Sequence, residues 1–402
     1  MIAPARRRAF RLTLFLTFMV VLSLASARQL VISPSHGQDF RDFFAAATLV
    51  ARGGDPYDAG ALAREQDRLY NQPGHFKPGD ANFYDPLPYP QGPWVALALV
   101  PTTALPWQTA YLLYLAGAIT AIAAAAWALL RLFGWSGRGL LLATGAIALS
   151  PVAFINLFQG QPVPFLLAAF AGAWILLRRD RPLLAGMLLA LAWIKPHIGL
   201  PLLVVLGVLE PAAVRNLVTG FAAGTLALFT VAAAVMRGAL LDWPQTVLGQ
   251  WSGALQQADL ASINAFAYPA LHGAARQATV GLAILAAAGY VIWTFRHRSS
   301  PLHRAMTLLL LTLLAAPYAH SYDTLLLVPV ILALLRPVQA GWADPAVEIA
   351  CWAFAIFPLF YFAGFHLGYF NGFTAIPVTL LGLAWHRHRV AATAGATLPV
   401  AA

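Results

Sequence analysis

Two aspartates three residues apart, Asp39 and Asp42, open the longest polar stretch of an otherwise apolar chain. On a helix that spacing puts both carboxylates on one face. Carboxylates are costly near hydrocarbon, so a pair at the lip of a helical bundle reads as a candidate general base. Three further clusters carry polar chemistry: Gln159-Gly-Gln161, Lys195-Pro-His197, and Tyr318-Ala-His-Ser-Tyr-Asp323. The amides of Gln159 and Gln161 can hold sugar hydroxyls. Lys195, with His197 and His320 nearby in type, can meet a phosphate. Each group also has a plainer use. The aspartates can cap an interfacial helix, Lys195 can snorkel, His320 can close a helix end, the glutamines can be loop amides, and Arg52 can be a solvated charge.

The elements that must position these groups are set by composition. Of 402 residues, 60% are hydrophobic and 10% are Asp, Glu, Lys or Arg, against about 25% charged in soluble domains. Mean hydropathy is +0.70. The chain reads as an all-α polytopic membrane protein. Its net charge of +10 fits basic cytoplasmic turns rather than nucleic acid binding. The single cysteine, Cys351, excludes an internal disulfide and a Cys-based zinc cluster. No Walker loop, His-Glu-x-x-His or Asp-x-Asp occurs, so neither a nucleoside triphosphate, nor a metal, nor another cofactor is expected.

Arginines at positions 6–8 and 11 precede an apolar run, 12–32, read as an uncleaved first span with its N-terminus inside; Ala25-Ser26-Ala27 also resembles a signal cleavage site. Residues 33–106 form a large outer loop. Within it, helices are expected over Phe43–Ala51 and around Ala59–Asn71, and an interfacial or re-entrant segment at 94–105. A bundle over 107–385 follows, with spans near 107–132, 138–156, 163–178, 183–196, 198–209, 215–236, 276–295, 303–319, 322–336, 346–364 and 371–385. With the first anchor this makes about 12, and a cytoplasmic tail, 386–402. Arg131, Arg138, Arg178, Arg179, Arg181, Arg215, Arg296, Arg298, Arg304, Arg336, Arg387 and Arg389 then all fall inside, which puts both termini in the cytoplasm and the polar clusters outside. Segments 183–196 and 198–209 are too short to span alone, and such broken helices are tolerated where they line a cavity.

Taken in order, several short motifs resemble one family. They are Asp39-Phe with Phe43-Phe44-Ala-Ala, Gly54-Asp-Pro-Tyr57, Tyr89-Pro, Gly160-Gln161, Ala185-Gly186 with Lys195-Pro196, and Pro317 with His320. Over roughly residues 12–340 the chain is similar to the polytopic glycosyltransferases of family 87 (the DUF2029 group). That resemblance implies a GT-C-like bundle and transfer of a sugar (mannose or another hexose or pentose) from a polyprenyl-phosphate sugar. The acceptor would be a lipid or glycan, and transfer would occur on the outer face of a bacterial-type plasma membrane with inversion. It implies Asp39 as the base, with Asp42 beside it. Arg52, Tyr57, Tyr89, Gln159, Gln161, Lys195, His197 and His320 become the candidate substrate-binding residues. The position after Gly-Gln, asparagine in the family, is Pro162 here.

A lipid or small-molecule transporter is the competing class. Transporters commonly carry inverted repeats and midplane ionisable groups. This chain has no evident repeat, and its polar clusters fall on one side. A purely structural scaffold would leave the carboxylate pair and Lys195 without a use.

Overall fold

The computed structural model describes residues 37–71, 84–236, 238–254, 260–262, 273–296, 300–316, 319–335, 380 and 382. Apart from 380 and 382, the expected first span, the last two spans and the tail lie outside them. All regular elements among the described residues are helical.

The first helix, α1 (Gln38–Ala51), begins five residues before its expected start. Gly37 takes a left-handed turn with φ 64, and its carbonyl accepts the Arg41 N–H at 2.8 Å, which starts the helix ahead of Asp39. Phe40, Phe43, Phe44 and Ala45 to Ala47 are all buried, so the helix is packed in protein on nearly every side. Helix α2 (Ala59–Gln66) is capped by Asp58, which accepts the Ala61 N–H at 3.0 Å, and runs into a π turn, Asp67–Asn71. Helix α3 (Pro93–Leu99) continues as a 3-10 turn, Val100–Ala104. At about 1.5 Å per residue this segment is too short to span a ~30 Å core. These three helices share a core of Phe43, Leu62, Tyr70, Tyr84 and Tyr89.

The bundle follows: α4 (Trp107–Leu132), α5 (Gly137–Ala148), α6 (Pro151–Gln159), α7 (Val163–Arg178) and α8 (Pro182–Leu189) with its 3-10 end Ala190–Ile194. Then come α9 (Pro196–Leu209), α10 (Val214–Val235), α11 (Ala239–Ala254), α12 (Gly273–Arg296), α13 (Pro301–Ala315), a 3-10 helix Ser321–Leu327, and α14 (Val328–Leu335). The expected span 138–156 is not one helix. Ser150 caps α6 through the Ala153 N–H at 3.3 Å and Pro151 has no N–H to give, so the chain bends by 46° there. Likewise the segment expected at 322–336 opens as a 3-10 helix before α14.

By length and composition, Trp107–Leu132 and Pro211–Val235 can each cross a membrane, and the bent pair makes a third candidate. The other apolar helices among the described residues are shorter, including Val163–Arg178 and Pro301–Ala315. The architecture is that of an apolar helical membrane protein; these lengths do not establish twelve separate spans. Close packing replaces length in places. Helices α8 and α10 cross through Gly186 and Gly220, where a Cβ would stand 2.0 Å from Leu217 O and Leu183 O respectively. Small residues that let backbones touch are the usual means of association in hydrocarbon. The main core is formed chiefly by α4, α6, α7, α9, α13, the 3-10 helix Ser321–Leu327 and α14.

Candidate active site

The carboxylate region is built where α6 meets α1. Gly160 ends α6 with φ 77, and a Cβ there would lie 2.5 Å from the Phe40 Cβ. Only glycine allows that approach. It sets the buried Gln161 against the first turn of α1, where its Nε2 donates to Asp39 Oδ2. The contact is stapled once more by the Gly37 N–H, which donates to Phe158 O at 2.7 Å, and the Tyr111 hydroxyl ties α4 to the same end of α6 by donating to Leu157 O at 2.6 Å.

The two aspartates share a helix but not an environment. Asp39 is half-buried in the first turn of α1, where the helix dipole favours a negative charge. Asp42 is buried, and its Oδ1 accepts from Gln66 Nε2 at 3.1 Å. Gln66 is itself fixed to the Leu87 backbone, donating to its carbonyl at 2.7 Å and accepting its N–H at 2.9 Å. Burial first, and the neighbouring Asp39 second, push the Asp42 carboxyl well above the usual carboxylate range; the Gln66 hydrogen bond opposes this more weakly. Between them Arg41 turns away, with its guanidinium carbon 4.4 Å from the Trp107 ring centroid and near Tyr70 and Tyr84.

A second polar region forms at the break between α8 and α9. Lys195 is 5% exposed, so it does not snorkel. Its Nζ donates to Asp323 Oδ1 at 2.9 Å and stands 4.1 Å from the centroid of the Tyr322 ring. Asp323 Oδ2 accepts the His320 N–H at 2.8 Å, and the His320 side chain accepts the Asp323 N–H in return. In a neutral imidazole that leaves the hydrogen on the other ring nitrogen. The His320 ring stacks on Tyr322 at 5.0 Å and 28°. His197 lies within electrostatic reach of Lys195, Asp323 and His320.

The two regions are joined through α6. The buried Asn156 donates to Val152 O at 2.8 Å and to Tyr322 O at 2.9 Å, four residues before the Gly160 turn that presents Gln161. Gln159, half-buried, ends the same helix.

Three candidates act as braces. Arg52, with its side chain 56% exposed, pairs with Glu65 at 3.2 Å, which Arg68 also holds. The Tyr57 hydroxyl donates to Gln91 O at 2.7 Å. The Tyr89 hydroxyl donates to Gly92 O and accepts the Ala96 N–H, both at 2.9 Å, pinning the start of α3. Sequence reasoning did not single out Asp323, Gln66 or Asn156. Asp323 had a signal: a buried lysine needs a carboxylate, and His320 with Asp323 three residues on has the spacing of a capping box. Gln66 and Asn156 had none, because the contacts that matter lie far along the chain: Gln66 with Asp42 and Leu87, and Asn156 with Tyr322 O.

Among the described residues there is no cluster of three or more His, Cys, Asp or Glu placed to hold a metal. Comparison with curated proteins and with solved structures gives no match. A family comparison matches residues 89–317 to glycosyltransferase family 87. The match takes in Tyr89, Gln159, Gln161, Lys195 and His197, while Asp39, Asp42, Arg52, Tyr57 and His320 lie outside it. It covers more than half of the chain and agrees with an apolar, all-helical architecture: the chain belongs to glycosyltransferase family 87 and is a membrane glycosyltransferase.

Proposed function

We propose that the chain transfers a sugar, mannose or another hexose or pentose, from a polyprenyl-phosphate sugar to a lipid or glycan acceptor. The reaction takes place at the outer face of a bacterial-type plasma membrane. The observation that carries this reading is Asp39, half-buried at a helix N-terminus and held by Gln161 from the glycine turn. A base must be reachable by the acceptor hydroxyl, and of the two aspartates Asp39 is half-buried while Asp42 is sealed in protein. Asp39 takes the proton of the acceptor hydroxyl, which attacks the anomeric carbon as the polyprenyl phosphate leaves on the opposite face. One displacement inverts the centre.

The leaving phosphate needs charge stabilisation more than protonation. Lys195 and the His320 ring supply it from across α6. Gln159 and His197 serve as further contacts to the donor or acceptor, and the prenyl chain lies among the apolar helices.

The test is transfer from radiolabelled polyprenyl-phosphate mannose in membranes containing the chain. Label should reach a lipid or glycan fraction with the wild type and not with Asp39→Asn. Equal labelling by both would remove Asp39 from the chemistry. Orientation is tested with cysteines placed at Ala59 and Ser136, both exposed, in a chain with Cys351→Ala. An impermeant thiol reagent should label position 59 in intact cells and position 136 only after permeabilisation. The reverse pattern would put the site on the cytoplasmic side.

A further inference from the structure

We propose that Asp323 is a positioning residue for the transfer, whose two carboxylate oxygens bind the Lys195 ammonium and the His320 backbone into one unit set at a fixed place relative to Asp39. The proposal rests on the reading above that Lys195 and His320 act on the leaving phosphate.

The unit is assembled from segments 128 residues apart. Asp323 is fully buried, and its oxygens divide the work: Oδ1 accepts from Lys195 Nζ at 2.9 Å, and Oδ2 accepts from His320 N–H at 2.8 Å. Tyr322 fills the space between, with the ammonium 4.1 Å from its ring centroid and the imidazole stacked on it. Its carbonyl in turn receives Asn156, at 2.9 Å. Asn156 belongs to the helix whose end carries Gly160 and Gln161, and Gln161 holds Asp39. A continuous run of hydrogen bonds and covalent helix thus leads from the base to the cation.

A buried ion pair is a weak source of stability, since desolvation of both charges offsets their attraction. Three properties fit positioning better than bulk stabilisation. The carboxylate is shared between a side chain and a backbone N–H. The lysine sits at a helix break rather than mid-helix. The whole is tied by Asn156 to the element that carries the base. A displacement of an ångström at a charge-stabilising group is enough to slow a reaction severely.

Two properties are measured on the purified full chain in nanodiscs. One is the preference for binding polyprenyl phosphate over the matching polyprenol, and the other is kcat and KM for polyprenyl-phosphate mannose. Lys195→Met should lose the phosphate preference and cut kcat by roughly 100-fold, the usual loss for one charge-stabilising donor. Asp323→Glu keeps the charge but moves it by a methylene. It should cut kcat about tenfold or more, with donor KM changed by less than about threefold, because the loss falls on the transition state.

Adding Asp323→Asn to Lys195→Met removes both buried charges and leaves an acceptor for the His320 N–H. This double variant should be no slower than Lys195→Met alone, since Asp323 then has no ammonium to place. The proposal is overturned if Lys195→Met is slow while Asp323→Glu keeps the wild-type kcat. It is equally overturned if the double variant is clearly slower than Lys195→Met alone, a comparison that needs no variant with an unpaired buried ammonium to fold. Wild-type kinetics and phosphate preference in Lys195→Met would instead refute the phosphate reading of Lys195, and the positioning role with it.

Discussion

The two polar regions of this protein solve opposite electrostatic problems. At α1, two carboxyl groups three residues apart are driven into unlike surroundings: Asp39 stays half-buried at a helix N-terminus, and Asp42 is sealed against Gln66. At the α8–α9 break, unlike charges from segments 128 residues apart are brought to 2.9 Å and shielded together. The first arrangement separates two chemically identical groups into a reachable carboxylate and a closed one. The second fixes a cation that would otherwise be too costly to bury. Local spacing is enough to suggest the first, and only the fold can produce the second.

This comparison can be broken most easily at Asp39. Asp39→Asn should reduce initial rate by at least about 100-fold, the lower part of the range for general base catalysis. Asp42→Asn should leave it within about threefold, and the reverse order would exchange the roles of the two carboxylates.

Next in size is the glycine turn. Gly160→Ala adds a Cβ 2.5 Å from Phe40 and places alanine at φ 77, so either α1 or the turn must shift. Gln161→Ala removes the donor to Asp39 without that steric conflict. Each should slow transfer by about 10- to 100-fold, the value of a hydrogen bond to a charged group. A wild-type rate in Gln161→Ala would mean that Asp39 orients without it.

The Asp42 environment also sets a pH dependence of stability. Its folded carboxyl titrates above the usual value of 3.8, so between that pH and its raised value the folded chain binds more protons than the unfolded chain. Stability contributed by this group is therefore greatest at the acid end and falls as pH rises through the window. Asp42→Asn keeps an acceptor for Gln66 and should flatten that slope in thermal unfolding followed across pH. An unchanged slope would show that the carboxyl is not the group responsible.

The smallest effect on activity is expected at Tyr89. Tyr89→Phe leaves the Ala96 N–H and Gly92 O without their shared hydroxyl. It should cost about 1–3 kcal/mol of stability while leaving kcat within twofold or so. A large loss of kcat with normal stability would return Tyr89 to the substrate.

Much of the first region is legible in the sequence because its signals are local. The Asp39–Asp42 spacing, the Gly160-Gln161 pair and the Gly53-Gly54 stop after α1 each lie within a few residues of sequence, although the Gln161–Asp39 contact spans 122 residues. The helix start was not, since nothing local says that Gly37 would begin α1 five residues early by docking its N–H on Phe158 O. The burial of α1 was also hidden, because its moderate amphipathic pattern is overridden by packing against α2, α3 and α6. In the second region the types were visible but the pairing was not. Lys195 was expected to wait for a substrate anion, yet the fold supplies Asp323 from 128 residues further along the chain. Helix lengths were the least legible property. Ser150-Pro151 bends one expected span, and the 3-10 starts and ends at Ala190–Ile194 and Ser321–Leu327 shorten others.

The central claim is that one base and one displacement move a sugar from a polyprenyl phosphate. It is tested most directly by the anomeric configuration of the product formed by the purified full chain, read by NMR, with a polyprenyl-phosphate sugar of known configuration as sole donor. The account predicts transfer with complete inversion, abolished by Asp39→Asn. Retention of configuration, or transfer only when a nucleotide sugar replaces the polyprenyl donor, would contradict it.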